Sequence, residues 1–269
     1  MQFLMAIRWL CVLILLVKGV AAGDSLRVVS KITPEHDVRA FYIDALDQLY
    51  ILTKQHELVK YDVAGKWIGN HRNQVLGPLR QVDVSNPLQL MAFYPESGVM
   101  LQLDNMLYTT NRFEPGKLGL SEDALMCRSF DNNFWLYDAR AFKLRKLAKD
   151  LRVVVEGEWL QNKLQYELSP EELVEVDERL YMNDPKHGIF VFDLYGAYLK
   201  TIPLVGQKRI AVYQGGLYFT REDQVYRYDL LTLEQQELTL PASIKASQLQ
   251  YNRSGLWVFD GESVFLLAP

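Results

Sequence analysis

FYIDALDQLYILTKQHELVKYDVAGKWIG, residues 41 to 69, reads as one small antiparallel sheet. Leu49-Tyr50-Ile51-Leu52-Thr53 is a run of β-formers, and Leu58-Val59-Lys60-Tyr61 is a second. Between the second run and Lys66-Trp67-Ile68 stands Asp62-Val63-Ala64-Gly65, with Asp opening a tight turn and Gly closing it. Phe41-Tyr42-Ile43 supplies a strand ahead of all three. Four short strands within thirty-odd residues, joined by tight turns, form a unit that cannot bury its faces alone and must stack on copies of itself.

Copies follow. An apolar residue followed by a bulky one recurs at Leu49-Tyr50, Leu90-Met91, Phe134-Trp135, Leu180-Tyr181, Leu217-Tyr218 and Leu256-Trp257. The steps between second members are 41, 44, 46, 37 and 39 residues, the period of a four-stranded propeller blade. A second landmark trails the first, at Tyr61-Asp62, Leu103-Asp104, Phe192-Asp193 and Tyr228-Asp229, with the Asp 11 to 13 residues after the bulky residue. Near Leu144–Leu147 and Val264–Leu267 the strand persists and the Asp is lost. The pattern predicts an all-β, six-bladed β-propeller.

The best copies resemble the NHL-type propeller repeat. RLYMNDPKHGIFVFDLYGAYL, residues 179 to 199, has that family's order of a hydrophobic-Tyr pair, a polar loop with Asn-Asp, and hydrophobic-x-Phe-Asp-x-x-Gly. Residues 49 to 65 are similar, and residues 217 to 229 match without the Gly; blades two, three and six depart from the pattern. The resemblance implies a propeller and no particular activity, because propellers host many functions.

The two ends of the chain complement each other. The last repeat offers three strands, at 246–251, 255–259 and 264–267, while Leu26–Ile32 is a strand left over at the other end. Pairing the two would complete blade six, close the ring and hide two sheet edges. Ahead of that strand, residues 1–22 read as a secretory signal peptide. Arg8 supplies the positive end, WLCVLILLV (residues 9–17) the apolar run and Val20-Ala21-Ala22 the small residues before cleavage. The expected layout is thus a signal peptide over 1–22 and one propeller domain over 23–269, exported to the periplasm or cell exterior.

After removal of that segment the chain keeps 27 basic and 33 acidic residues, a net charge of −6. This argues against nucleic acid or an anionic membrane as partner. Cys127 then stands alone in an apolar strand start, so no internal disulfide is expected, and the natural reading is a small buried hydrophobe. No phosphate loop, nucleophile elbow, His-Glu-x-x-His or Cys-x-x-Cys occurs, and no cofactor is expected. The mature chain contains no apolar run that would span a membrane.

Candidate binding residues come from the loops. In a blade, second-to-third loops lie on the same face as the links between blades. His56 and His187 fall in second-to-third loops of blades one and four, and His36 and His71 fall in inter-blade links, so all four map to one face. That face also gathers Asp37, Arg39, Lys208 and other charges of both signs, which suits a protein or polar ligand. One segment exceeds the repeat: EGEWLQNKLQYELSPEE, residues 156–172. It reads either as a long strand and turn or as a protruding loop or short helix for recognition, and Ser169-Pro170-Glu171-Glu172 resembles a helix start. Trp159 and Tyr166 within it suit a protein contact. The repeated Asp62, Asp104, Asp193 and Asp229 are turn formers on the opposite face.

The resulting expectation is an exported, non-enzymatic binding or scaffold propeller that presents one face to a protein partner, with Trp159, Tyr166, His36, His56, His71 and His187 as its contact residues. The alternative is a metal-dependent propeller hydrolase of the gluconolactonase type, which would need Glu, Asn and Asp from different blades, with Asp37, Asn70, Asn73 and Glu175 as conceivable members. A sugar-binding propeller with exposed aromatics around its mouth is a third possibility.

Overall fold

In the computed structural model, which describes residues 26–119, 124–164 and 167–269, six four-stranded antiparallel sheets form a ring. The chain opens with β1 (Arg27–Ile32). Blade one is β2 (Val38–Ile43), β3 (Leu49–Thr53), β4 (Leu58–Tyr61) and β5 (Trp67–His71). Blade two is β6 (Gln81–Asp83), β7 (Leu90–Tyr94), β8 (Val99–Leu103) and β9 (Thr109–Phe113). Blade three is β10 (Leu125–Arg128), β11 (Phe134–Asp138), β12 (Lys143–Leu147) and β13 (Val153–Glu156), and a single helical turn, α1 (Leu160–Leu164), follows it. Blade four is β14 (Glu172–Val176), β15 (Arg179–Asp184), β16 (Gly188–Phe192) and β17 (Tyr198–Ile202). Blade five is β18 (Ile210–Tyr213), β19 (Gly216–Arg221), β20 (Gln224–Asp229) and β21 (Gln235–Leu238). Blade six is β22 (Gln248–Asn252), β23 (Gly255–Phe259) and β24 (Val264–Ala268), with β1 as its fourth strand.

The expected closure is present: β1 runs antiparallel to β24, from Arg27 opposite Ala268 to Ile32 opposite Val264. One blade therefore contains both chain-end strands, and the ring is fastened by backbone hydrogen bonds as well as by packing.

The landmark pair explains the ring. Side chains of successive strand residues point to opposite faces of a sheet. In every blade the first member packs toward the preceding blade and the second toward the next. Leu49 lies with Trp257 between blades six and one, and Tyr50 lies with Leu90 between one and two. Met91 meets Phe134 between two and three, and Trp135 meets Leu180 between three and four. Tyr181 meets Leu217 between four and five, and Tyr218 meets Leu256 between five and six. The core is thus six apolar wedges, and each of the six bulky residues sits in a different one, at most 7% exposed.

The recurring Asp residues build the outer turns as expected. Asp62 Oδ1 accepts the N–H groups of Ala64 and Lys66, Asp104 Oδ1 those of Met106 and Tyr108, and Asp193 Oδ1 those of Tyr195 and Ala197. The turn at Asp229 is one residue longer, and there the carboxylate accepts from Leu231 and Thr232. Those two amides, with Arg227, hold the Asp229 carboxyl down to about 2. Gly188, at the start of β16, has φ +108°, and a Cβ there would lie 2.5 Å from the Ile202 carbonyl oxygen on β17. Glycine is required because the neighbouring backbone occupies that space.

Ser169-Pro170-Glu171-Glu172 resembles a helix start in sequence, but the strand reading prevails there. Residues 169–172 are not a helix start. The Glu171 N–H donates to the Asn183 carbonyl, extending the β14–β15 ladder, and the Ser169 N–H donates to Asp184 Oδ2. The only α-helical turn among the described residues is α1, placed earlier because Leu160 and Leu164 drop into the wedge between blades three and four.

Two outcomes follow from this packing. Deleting residues 23–32 uncovers the β24 edge, and the truncated chain is expected to melt lower in scanning calorimetry and to self-associate on size exclusion; an equally stable monomer would contradict the closure. Tyr181→Ala is expected to cost about 3 kcal/mol in urea unfolding, from the cavity it leaves between blades four and five.

Candidate functional site

The six innermost strands, β2, β6, β10, β14, β18 and β22, surround a central channel. Each has one edge without a strand partner. Polar side chains at the first position of these strands in blades two, four and six, and at the third in blades two and six, reach the adjacent blade and bond that edge. Gln81 Oε1 accepts the Met126 N–H at 2.8 Å, and Asp83 Oδ2 accepts the Arg128 N–H at 2.7 Å. Glu172 Oε2 accepts the Ile210 N–H at 2.8 Å. Gln250 Oε1 accepts the Ile43 N–H at 2.8 Å, and Gln248 Nε2 donates to the Arg39 carbonyl. A buried amide left without an acceptor costs about 1–3 kcal/mol, so these side chains are structural before they are anything else.

The channel is divided. From blade five, Arg209 donates through Nε to Glu172 Oε1 of blade four at 3.3 Å, and its guanidinium carbon lies 4.5 Å from the centroid of the Tyr42 ring of blade one. This bridge of guanidinium, carboxylate and ring crosses the bore. Burial pushes the Glu172 carboxyl up, an effect that the adjacent Arg209 charge only partly offsets.

On one side of the bridge is a chamber of about 710 Å³. It opens toward the face formed by first-to-second and third-to-fourth turns, past Ser85, Asn86, Phe130, Asp177 and Glu178. Three of the turn apices near this mouth carry exposed apolar side chains, Leu46, Leu88 and Phe130. Glu175 lines the chamber but is occupied: its carboxylate accepts from Ser129 Oγ at 2.7 Å, the Phe130 N–H at 2.9 Å and Trp135 Nε1 at 2.5 Å. On the other side is a smaller chamber of about 240 Å³, opening toward the face of inter-blade links and lined at its entry by Arg39, Arg80, Glu171 and Lys208. Cys127 also lines the wider chamber, and burial pushes its thiol well up, so it stays protonated.

The predicted contact residues are distributed as follows. His36 Nδ1 bonds the Tyr61 hydroxyl at 2.9 Å, and His71 Nε2 bonds the Tyr94 hydroxyl at 3.0 Å. Burial lowers His71 and raises Tyr94 to about 12, so this pair is neutral at physiological pH. His56 Nδ1 faces both Arg39 Nη1 at 2.9 Å and the Leu79 carbonyl at 3.2 Å. His187 Nδ1 lies 3.2 Å from Asp184 Oδ1. All four stand on second-to-third loops or at inter-blade links, but each has its own partners and none lines either chamber. Among the described residues no group of three His, Cys, Asp or Glu side chains is arranged to hold a metal.

Trp159 is 56% exposed, with Lys143 Nζ 5.8 Å from its ring centroid. The residue after it is fully buried Leu160, whose N–H donates to the Phe142 carbonyl. Tyr166 lies outside the described residues. Of the conceivable hydrolase members only Glu175 reaches the channel. Asn70, on the outer strand β5, donates to Glu57, Asn73 Oδ1 caps the amides of Val75 and Leu76, and Asp37 lies exposed in a link. The sequence reading missed Arg209, Glu172 and Tyr42. Position in or next to an innermost strand was the available signal, but their convergence joins residues far apart in the chain.

No protein-family model matches the sequence, and no curated protein matches it. Solved structures share the architecture. A catalytically inactive histidine-to-alanine variant of virginiamycin B lyase from Staphylococcus aureus, solved with quinupristin, has a TM-score of 0.60 at 11% identity over 88% of this chain and 82% of that chain. BamB from Moraxella catarrhalis has a TM-score of 0.53 at 14% identity over 91% and 98%. PorZ from Porphyromonas gingivalis, an essential bacterial surface component of the type-IX secretion system, has a TM-score of 0.52 at 14% identity, covering 86% of this chain and 31% of that one. At these identities the likeness shows the propeller fold alone; the six blades are those of this chain's own sheets. The repeat architecture expected from the NHL resemblance is therefore observed, without assignment to that family.

The Glu172 site carries a pH signature. A carboxyl raised in the folded state binds its proton more tightly there than in the unfolded chain. Its contribution to stability is complete below the unfolded value of 4.5 and is withdrawn as pH rises through the raised folded value. Glu172→Gln keeps an acceptor for the Ile210 N–H and removes the titration. Urea unfolding from pH 4 upward is expected to show a flatter pH dependence for the variant over that interval, and an unchanged slope would contradict it.

Proposed function

We infer that this is an exported binding propeller that holds a protein partner on one loop face and performs no chemistry of its own. The observation that carries this reading is Trp159. It stands in solvent beside a helical turn whose Leu160 and Leu164 are locked into the wedge between blades three and four. A large aromatic side chain held rigid and exposed contributes much apolar area on binding while losing little entropy. The contact face comprises Trp159 and Tyr166 with the links and loops bearing His36, His56, His71 and His187. Export rests on the signal-like residues 1–22. No helix among the described residues is long and apolar enough to cross a membrane. That propellers of this shape include a secretion-system surface component and BamB accords with a scaffold role.

The hydrolase reading gains little, since Asp37, Asn70 and Asn73 lie away from the channel and the Glu175 carboxylate is already bonded three times. Relative to the lyase, for which a histidine-to-alanine variant is catalytically inactive, none of the four histidines here lines either chamber.

One observation favours the opposite face as the docking surface. Of the exposed large apolar residues in connections, Leu46, Val63, Leu88, Met106, Tyr108, Phe130, Tyr195, Leu231 and Leu233 sit in first-to-second or third-to-fourth turns, against Val75, Leu118, Trp159 and Val205 on the link face. Several of these side chains lie between the Asp that heads a turn and the turn's end.

Affinity capture from the envelope or secreted fraction separates the two. Trp159→Ala is expected to lower partner recovery about tenfold or more with little change in melting temperature, while Phe130→Ala leaves recovery unchanged. The reverse pattern moves the docking surface to the turn face. Unfolding of Trp159→Ala would make that residue part of the core.

A further inference from the structure

The smaller chamber has a composition that neither the fold nor the reading above uses. Its entry brings cations from opposite sides of the ring: Arg39 and Arg80 from blades one and two, and Lys208 from the start of blade five. The Arg209–Glu172 pair forms its floor. Outside that pair, the described lining residues set a single acid, Glu171, against the three entry cations. Arg39 and Lys208 form no ion pair among the described residues, and Arg80 has only Glu96 at 4.0 Å, outside the chamber wall.

The neighbour of Arg39 is an imidazole. His56 Nδ1 serves as acceptor for Arg39 Nη1 when the ring proton is on Nε2, and as donor to the Leu79 carbonyl when it is on Nδ1. One nitrogen cannot do both, and neither arrangement neutralises the guanidinium. Below the cations the wall is apolar, with Ala40, Leu52, Val82 and Leu173.

We propose that this chamber binds a carboxylate carried on a short apolar stem. Arginine presents a planar fork of donors that matches a carboxylate two bonds at a time. A volume of about 240 Å³ admits the carboxylate and a few carbons, and the apolar wall below the cations receives the stem. Two sources present this group: a free small acid, or the C-terminal residue of a partner chain entering from the link face. The site is independent of Trp159, which lies outside the chamber.

Isothermal titration calorimetry of the full mature chain at low salt tests this with N-acetyl-leucine, N-acetyl-leucine amide, and the peptide acetyl-Ala-Ala-Ala-Leu as free acid and as amide. Each free acid is expected to bind at least about tenfold tighter than its amide, the equivalent of one charge-assisted bond. The difference should shrink in about 0.5 M salt. Arg39→Gln and Lys208→Gln, both on partly or fully exposed side chains, should each weaken the free acids at least about threefold without shifting the melting temperature. A tetrapeptide acid that outbinds N-acetyl-leucine identifies the chain terminus as the source, and equal affinities identify the free acid. Acid and amide binding alike, no measurable binding of either acid, or affinities unchanged in both variants would each overturn the proposal. Trp159→Ala should leave these titrations unaltered, so failure of the partner-docking reading and failure of this one are separable.

Discussion

The structure depends on a two-sided contact repeated six times. In each blade one dipeptide in the second strand places its first side chain against the blade before and its second against the blade after. Leu180 packs with Trp135 on one side of blade four, and Tyr181 packs with Leu217 on the other. Because strand side chains alternate, a single pair commits the blade to both neighbours at once. Six such commitments give six wedges and no common centre, so the middle of the molecule is left as a channel. The β1–β24 pairing then joins the last wedge to the first.

A channel ringed by strand edges creates its own difficulty, since the inner edge of each sheet carries unpaired amides. Gln81, Asp83, Glu172, Glu175 and Gln250 answer it by accepting those amides across blade boundaries. Polar residues in a channel are a natural place to seek catalytic groups, yet most of these oxygens are engaged in holding the ring together. What remains chemically available is set by the Arg209–Glu172–Tyr42 bridge. It splits the bore into a wide chamber with an acidic and apolar mouth and a narrow one with a cationic mouth.

The two faces differ for the same reason. Turns headed by Asp are short because the carboxylate replaces further backbone bonds, and the side chains at their tips, such as Met106, Tyr195 and Leu231, are pushed outward. The link face must carry the chain from the rim of one blade to the centre of the next. Its segments are longer and hold most of the charged and imidazole groups. Histidines there bond tyrosines of the same or the following blade, as His36 does Tyr61 and His71 does Tyr94. They therefore contribute to the scaffold as well as to its surface.

The sequence by itself determined the blade count, the closing strand, the Asp turns and the burial of each landmark residue. All of these are local or strictly periodic: strand alternation and turn chemistry act over a few residues, and the 37- to 46-residue steps repeat them. It also singled out residues 156–172 as an insertion and left a strand and turn or a short helix open; the buried pair Leu160 and Leu164 holds a helical turn early in the segment, while residues 169–172 start none. Local propensity at Ser169-Pro170 was outweighed by the β14–β15 ladder, whose partner strand begins at Arg179. Only the tertiary structure decided what meets in the channel. Tyr42, Glu172 and Arg209 come from blades one, four and five, and their contact follows from the radius of a closed ring. No spacing along the chain encodes that distance, because each blade knows only its two neighbours.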